Sequence, residues 1–326
     1  MTKAVLFLTF NRLDYTKEVF KSIQIAKPPR FYIASDGARN ERERERVAQI
    51  RQWILDNINW DCEVKTLFRD KNLGCGKGVS SAVTWFFENE KDGIILEDDC
   101  VPNQSFFAYC EELLDKYKDD KRIWHIAGDA PYQDLNAKES YYFAKIQHCW
   151  GWASWADRWA HYRFDLDSYD EKYLQNVSHR KEIRAYWLNI LNAMKKHEVD
   201  SWAYPWALWI VAHNGYCINP YKNLVCNIGD FGVHYNAIGS PHLHRQTYQL
   251  DKIIHPKEVR FNQKAIDYIY MNHFGIEFGS TYKKAKQTFK RVIESIFSVK
   301  NANDKCHKII TICGIKMKFK RKKRES

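Results

Sequence analysis

Four short strand-like segments fill the first hundred residues, each running into a polar cluster and each parted from the next by a segment of helical period. That leaves few folds open. The segments are 4–10, 31–34, 63–68 and 93–96; the first, second and fourth are short apolar runs that read as buried strands, and 63–68 is expected to be a further strand. Between the first two, Asp14 is expected to cap a helix with Tyr15, Val19, Phe20 and Ile23 on one face, stopped by Pro28-Pro29. A charged helix from Glu41 to Asn57 turns Val47, Ile50 and Ile54 inward, and a third helix is predicted over 79–89. Alternation with connections of this length implies parallel strands joined by crossovers, hence a doubly wound α/β sheet.

The polar clusters are Asn11-Arg12, Ser35-Asp36, Arg69-Asp70 with Asn72, and Glu97-Asp98-Asp99. At the carboxyl ends of adjacent parallel strands such groups converge on one crevice. The acid triplet is what a hard cation requires: Mg²⁺ or Mn²⁺ is held by one or two carboxylates, with substrate phosphates completing its shell. A solvated acidic turn is the alternative for the triplet taken alone. Four clusters in succession are harder to dismiss.

After Pro102 a helix is expected through Phe106, Phe107, Cys110 and Leu114, then a strand at 123–126. Beyond about residue 130 the alternation gives way to tryptophan: Trp150, Trp152, Trp155, then Trp202, Trp206 and Trp209 at helical spacings. Core packing is the commoner reason for such stripes. With 12 Trp and 15% aromatics, some are also expected to be exposed around a ligand cleft. Gly151 marks a turn, and 223–229 reads as a last strand and turn. Gly74-Cys75-Gly76-Lys77-Gly78 matches neither a phosphate loop nor a dinucleotide fingerprint and is expected to be a flexible loop near a ligand.

The net charge of +11 looks like a nucleic-acid signature until it is located. Residues 281–326 hold 15 Lys and Arg against three acids, so 1–280 carry 36 basic and 37 acidic groups. Attraction to a polyanion therefore belongs to the C-terminus alone. Nine scattered cysteines without a Cys-x-x-Cys pair argue against a zinc site or a disulfide framework and for reduced cytosolic thiols. The apolar part of the N-terminus is too short for a signal peptide, and no stretch approaches a membrane span.

In their order, Leu8-Thr9-Phe10-Asn11-Arg12, Ala34-Ser35-Asp36-Gly37, Asn72-Leu73-Gly74, Leu96-Glu97-Asp98-Asp99 and Gly151-Trp152-Ala153 resemble the GT-A glycosyltransferases, in particular bacterial family-2-like enzymes. The Glu-Asp-Asp motif is similar to that of N-acetylglucosaminyltransferase I. The resemblance covers about residues 3–240 and implies a GT-A doubly wound mixed sheet. Phe10, Asn11 and Asp36 would hold the base and ribose of a nucleotide sugar, expected to be UDP-linked. Arg69 and Asn72 would border the nucleotide and its phosphates, Asp98 would face the sugar or ribose, and Arg12, Gly74 and Trp152 would complete the donor site. Asp99 would bind Mn²⁺ or Mg²⁺, with His234 as a late metal or diphosphate contact. Inversion needs a carboxylate to take the acceptor hydroxyl's proton. Asp200, beside Trp202, is the expected base and Glu198 the fallback, although Asp200 also reads as a helix cap.

These expectations give a catalytic domain over 1–280, with a nucleotide-sugar half at 1–130 and an acceptor-side half at 131–280, followed by a basic tail at 281–326. In the tail, 282–299 reads as a basic amphipathic helix that would hold the protein on an anionic membrane, at the inner face of the cytoplasmic membrane; docking on the catalytic domain is the alternative. The implied activity is transfer of a sugar to a saccharide or lipid-linked saccharide acceptor in bacterial surface polysaccharide or glycan synthesis, with no nucleic-acid partner. The competing readings are a sugar-nucleotide nucleotidyltransferase, which lacks its Gly-rich loop after the first strand here, and a noncatalytic carbohydrate- or nucleic-acid-binding protein.

Overall fold

Side chains alternate across β1 (Ala4–Thr9), so Val5 and Phe7 enter one apolar core while Ala4, Leu6 and Leu8 enter another. A strand with two cores is apolar throughout. The computed structural model describes residues 2–230 and 242–279 and the backbone of three C-terminal strands at 297–301, 307–312 and 315–320. The chain divides into two units, Met1–Gly275 and Ile276–Ser326.

In the first unit β1 is followed by α1 (Leu13–Ala26), β2 (Arg30–Ser35), α2 (Glu41–Asn57), β3 (Glu63–Phe68), α3 (Gly74–Asn89) and β4 (Asp92–Glu97). Then come β5 (Cys100–Pro102), α4 (Gln104–Tyr117), β6 (Ile123–Ala127), β7 (Tyr141–Ala144), β8 (Trp152–Trp155) and α5 (Ala156–Trp159). The unit ends with α6 (Lys181–Lys195), α7 (Ala203–Ala212), β9 (Tyr216–Pro220), β10 (Val225–Asn227) and α8 (Gln263–Asn272). Eight strands form one sheet in the order β3-β2-β1-β4-β8-β6-β9-β7. The first four are parallel, β8 runs antiparallel to both β4 and β6, and β6 pairs parallel with β9. The doubly wound mixed α/β sheet expected from the sequence is therefore present. Because β8 is reversed, β4, β6 and β9 all point the same way, and their carboxyl ends share one edge with those of β1, β2 and β3.

Local signals set most boundaries. α2 is capped by Asn40, whose side chain accepts the Glu43 amide, and it buries the expected Val47, Ile50 and Ile54. Asp14 lies inside the first turn of α1 instead of capping it; Arg12 holds the N-cap position. Trp152 and Trp155 of the first stripe lie in strand β8 and Trp206 and Trp209 of the second in helix α7, with Trp202 at its N-cap. Trp152, Trp159, Trp202 and Trp206 are buried together in the core on the α3 and α7 side of the sheet. The segment 223–229 supplies β10, which pairs with β5 outside the main sheet.

The glycine-rich segment 74–78 is the first turn of α3, not a loop. Gly37 permits a close crossing, since a Cβ there would collide with the Lys71 backbone. In the second unit, β11 (Phe297–Asn301), β12 (His307–Ile312) and β13 (Ile315–Lys320) form an antiparallel sheet. The expected helix at 282–299 thus ends in a strand, and 282–296 lie outside the described residues. By register, positions 297, 299, 301, 308, 310, 312, 315, 317 and 319 share one face, apolar except at 301 and 308, and positions 298, 300, 307, 309, 311, 316, 318 and 320 share the other, which bears four of the five lysines of these strands. Among the described residues no helix is long and apolar enough to cross a membrane.

Candidate active site

The carboxyl ends of β1, β2, β3 and β4 open into a cavity of about 540 Å³. Nine of the expected site residues line it: Phe10, Asn11, Arg12, Asp36, Arg69, Asn72, Gly74, Asp98 and Asp99. Trp152 does not. It is fully buried, stacked between His125 and Trp202, and Trp202 in turn donates from its ring nitrogen to Glu97 Oε1 at 3.3 Å. Trp152 supports the acid cluster from behind. His234 lies outside the described residues.

The Asp36 carboxylate, at the end of β2, accepts the backbone amides of Gly37 (3.0 Å), Leu73 (2.9 Å) and Gly74 (3.2 Å). Asp200 accepts the next two amides, Cys75 at 3.0 Å and Gly76 at 2.8 Å. Two carboxylates from distant positions therefore satisfy the orphan donors at the start of α3, where negative charge is favoured by the helix dipole. This is why α3 begins five residues before its sequence pattern. Asp200 thus caps a helix, as one reading had it, but the helix is α3 and not α7, where Ser201 accepts the Ala203 amide. Gly74 and Gly76 leave room for it; a Cβ on Gly74 would stand 2.6 Å from Asp200 Oδ2. Cys75 lines the cavity, so Asp200 sits directly behind the wall.

Also at the cavity, Arg39 lies over the Phe10 ring, 5.2 Å from its centre, and pairs with Glu43. Glu43 also accepts from Asn11 Nδ2 at 2.9 Å. Arg39 and Arg46 also line the cavity and were not among the residues expected from the sequence. The signal was present, as Arg39 and Glu43 stand four apart at the start of a helix, directly after Asp36. Arg51 bridges the ends of β2 and β3, donating to the Ser35 carbonyl at 3.1 Å and the Arg69 carbonyl at 2.6 Å, while Arg69 donates to Ser81 Oγ at 2.8 Å.

The acid triplet is the electrostatic centre. Arg12 pairs with Asp98 and, through Nη1 at 2.9 Å, with Asp99 Oδ2. Burial alone would lower the Arg12 pKa, but the two carboxylates outweigh it and raise it. Burial, followed by the charges of Asp99 and Asp98, pushes Glu97 up to about 8. Burial likewise lifts Asp98 to about 6 against the pull of Arg12. One guanidinium does not neutralise three acids. Asp98 Oδ2 is buried with no hydrogen-bond partner, and Asp99 Oδ2 packs against Gly229, where a Cβ would overlap it. An orphaned carboxylate oxygen beside a second carboxylate fits a hard divalent cation. Among the described residues no three His, Cys, Asp or Glu side chains form a cage for one, so ligand phosphates and water would supply most of its shell.

A pH dependence follows. A carboxyl whose pKa is raised by folding contributes stability that is complete below its unfolded value, about 4.3, and is lost as pH rises through its folded value. The buried His125, held neutral and lowered to about 4, acts in the opposite sense, but its contribution is complete above its unfolded value of 6.5. Between pH 6.5 and about 8 the thermal midpoint is therefore expected to fall, through Glu97 over the whole window and through Asp129, which burial raises to about 7, over its lower part. Glu97→Gln should flatten the slope in differential scanning calorimetry; an unchanged slope would remove Glu97 as its source.

No family model matches the sequence, and no curated protein matches it. Solved structures with a distant likeness include UDP-glucose pyrophosphorylase complexed with UDP-glucose, 12% identical, with 68% of this chain and 90% of that one covered at a TM-score of 0.35. HddC from Yersinia pseudotuberculosis is 10% identical over 48% of this chain and 78% of its own, at 0.31. The glycosyltransferase GlyE in Streptococcus pneumoniae TIGR4 is 12% identical over 64% and 42%, also at 0.31. Likenesses this remote leave function to be argued from the chain's own residues.

Proposed function

We propose that the protein is a divalent-metal-dependent inverting glycosyltransferase that takes a sugar from a nucleotide diphosphate donor, UDP-linked in the simplest form, and passes it to a saccharide acceptor. The observation that carries this reading is the meeting of Asp98, Asp99 and Arg12 with the Phe10, Asn11 and Asp36 end of one cavity at the carboxyl edge of the sheet. The cavity is of a size for a nucleotide-sized ligand. In this reading Phe10, Asn11 and Asp36 take the base and ribose, Arg69, Asn72 and Gly74 border the phosphates, and Asp99 holds Mn²⁺ or Mg²⁺. When bound, the cation stabilises the negative charge on the departing diphosphate. Arg12 is placed to share in that stabilisation. Asp200 is the proposed base, directly behind Gly74 and Cys75.

A nucleotidyltransferase would share the sheet. Against it, only Phe10, Asn11 and Arg12 lie between β1 and α1, with no Gly-rich loop to cradle a triphosphate. The test is nucleoside diphosphate release from UDP-sugars with and without Mn²⁺, compared with pyrophosphate release from UTP and a sugar 1-phosphate. Metal-dependent release of the diphosphate supports transfer, whereas pyrophosphate formation overturns it.

The second unit is proposed to hold the enzyme on an anionic membrane surface through the lysine-bearing face of its sheet. Attachment should weaken with salt, since exposed charges are screened over about 8 Å at physiological ionic strength. Truncation after Ser280 is expected to leave donor hydrolysis intact and abolish co-sedimentation with vesicles containing anionic lipid. Full-length protein that fails to sediment with them at low salt would overturn the attachment.

A further inference from the structure

At the amino ends of β6 and β9, on the edge of the sheet away from the nucleotide cavity, two histidines share one aromatic floor. Trp124, the second residue of β6, is buried. The His213 ring stacks on it with centres 4.7 Å apart, the His161 ring lies 5.3 Å from it, and the two imidazole centres are 4.4 Å from each other. His161 follows α5 by two residues, and His213 is the C-cap of α7. Both are exposed. The His213 side is rigid: Asn214 takes a left-handed conformation (φ 53°), and the Gly215 amide donates to the Ile210 carbonyl at 2.7 Å, closing α7. A Cβ on Gly215 would stand 2.8 Å from the Trp124 ring, so the turn lies directly on that floor.

Within this turn His213 Nδ1 meets the Trp209 carbonyl at 2.9 Å. A carbonyl only accepts, so Nδ1 holds the proton and the neutral ring presents its lone pair at Nε2. Metal-ligating histidines are oriented in this way, their second nitrogen donating to a carbonyl or carboxylate. His161 is drawn to the neutral state as well: partial burial, then the nearness of His213 and Arg163, lowers its pKa, with Asp157 acting against them. Arg163 directs Nη1 to the Ala160 and Tyr162 carbonyls at 2.8 and 2.6 Å, and Asp157 is paired with Lys121 and Arg158. Two imidazoles this close resist being charged together, whereas a cation that takes a lone pair from each joins them. Nitrogens at about 2.0–2.1 Å from a tetrahedral ion place their ring centres roughly 5 Å apart, and a small outward turn of the exposed His161 side chain supplies the difference. Imidazole suits zinc, nickel and copper, while magnesium and manganese prefer carboxylates.

We propose that His161 and His213 form a second metal site, one that takes a zinc-type divalent cation through the two imidazoles, completes its shell with water, and ties the end of α5 to the end of α7. Among the described residues no three His, Cys, Asp or Glu side chains could hold a metal together, so the site is an open one with two protein ligands. It is independent of the proposed transfer. The test is a Zn²⁺ titration of full-length protein carrying ¹⁵N-labelled histidine, followed at the imidazole nitrogens by NMR, with Zn²⁺ and Mn²⁺ affinities measured by calorimetry. The His161 and His213 signals are expected to move first, with His213 Nδ1 keeping its proton. His161→Gln and His213→Gln should each weaken Zn²⁺ binding tenfold or more, and the double variant little more than either alone, because the two rings hold one ion. Mn²⁺ affinity should not change in any of them. Both positions are exposed, so the variants should keep the parent's thermal midpoint without metal and lose its gain on adding Zn²⁺. Signals that move first at other histidines, or equal Zn²⁺ affinity in the parent and the double variant, overturn the site. Failure of Mn²⁺ to bind with Zn²⁺ binding retained would instead overturn the metal reading of Asp99 and leave this site standing.

Discussion

Asp99→Ala is expected to abolish metal-dependent donor binding and sugar transfer while the protein stays folded. Asp99 lies just past β4, not in an apolar core, and its side chain meets Arg12 and Gly229 rather than packed hydrocarbon. Its loss leaves Arg12 paired with Asp98, so no buried cation is stranded. Glu97 is raised first by burial and then by the charge of Asp99, and removing that acid relieves the second cause. The thermal midpoint without metal should therefore hold or rise, while the Mn²⁺-induced gain disappears. Catalysis should fall by at least the 10²–10³-fold that follows loss of one electrostatic stabiliser of a developing negative charge. Paramagnetic resonance of Mn²⁺ checks the binding half directly. Unchanged Mn²⁺ affinity in protein stripped of metal and reloaded would end the assignment of Asp99.

The parts of this arrangement that were legible in the sequence are the ones set by neighbours along the chain. β1 and β4 lie within a residue of their predicted ranges and α2 occupies its own, because a short apolar run and a three-to-four-residue stripe are local signals, and Asn40 supplies a local cap. Pro28-Pro29 forbids continuation of α1 past Ala26. The convergence of four polar clusters followed from strand direction alone. What was not legible depends on groups far away in sequence. α3 starts at Gly74 because Asp36 and Asp200 bring their carboxylates to its amides from 38 and 125 residues away, and no window around Gly74 contains either. The resemblance puts Trp152 at the ligand, yet its strand runs between β4 and β6 with cores on both sides, so it is sealed.

Asp200→Asn should separate the two roles this residue can play. Its oxygens accept the Cys75 and Gly76 amides, and an asparagine can keep one of these bonds through Oδ1 but must turn an N–H toward the other donor. Loss of the negative charge at a helix start costs about 0.3–1 kcal/mol, so a modest fall in thermal midpoint is expected whatever its chemical role. A general base does more than that. If Asp200 takes the acceptor's proton, the substitution slows transfer by roughly 10²–10⁴-fold, with donor affinity near that of the parent, because only the transition state needs the base. Donor hydrolysis and transfer should be measured on the same preparation, with Asp200→Glu alongside: the longer acid keeps a basic oxygen but cannot keep both amide bonds in the same geometry. Asp200→Glu that recovers part of the rate without recovering stability identifies a base. Asp200→Asn with a lower thermal midpoint and an unchanged rate identifies a cap alone, and the base must then be sought in Glu198 or another carboxylate near the acceptor.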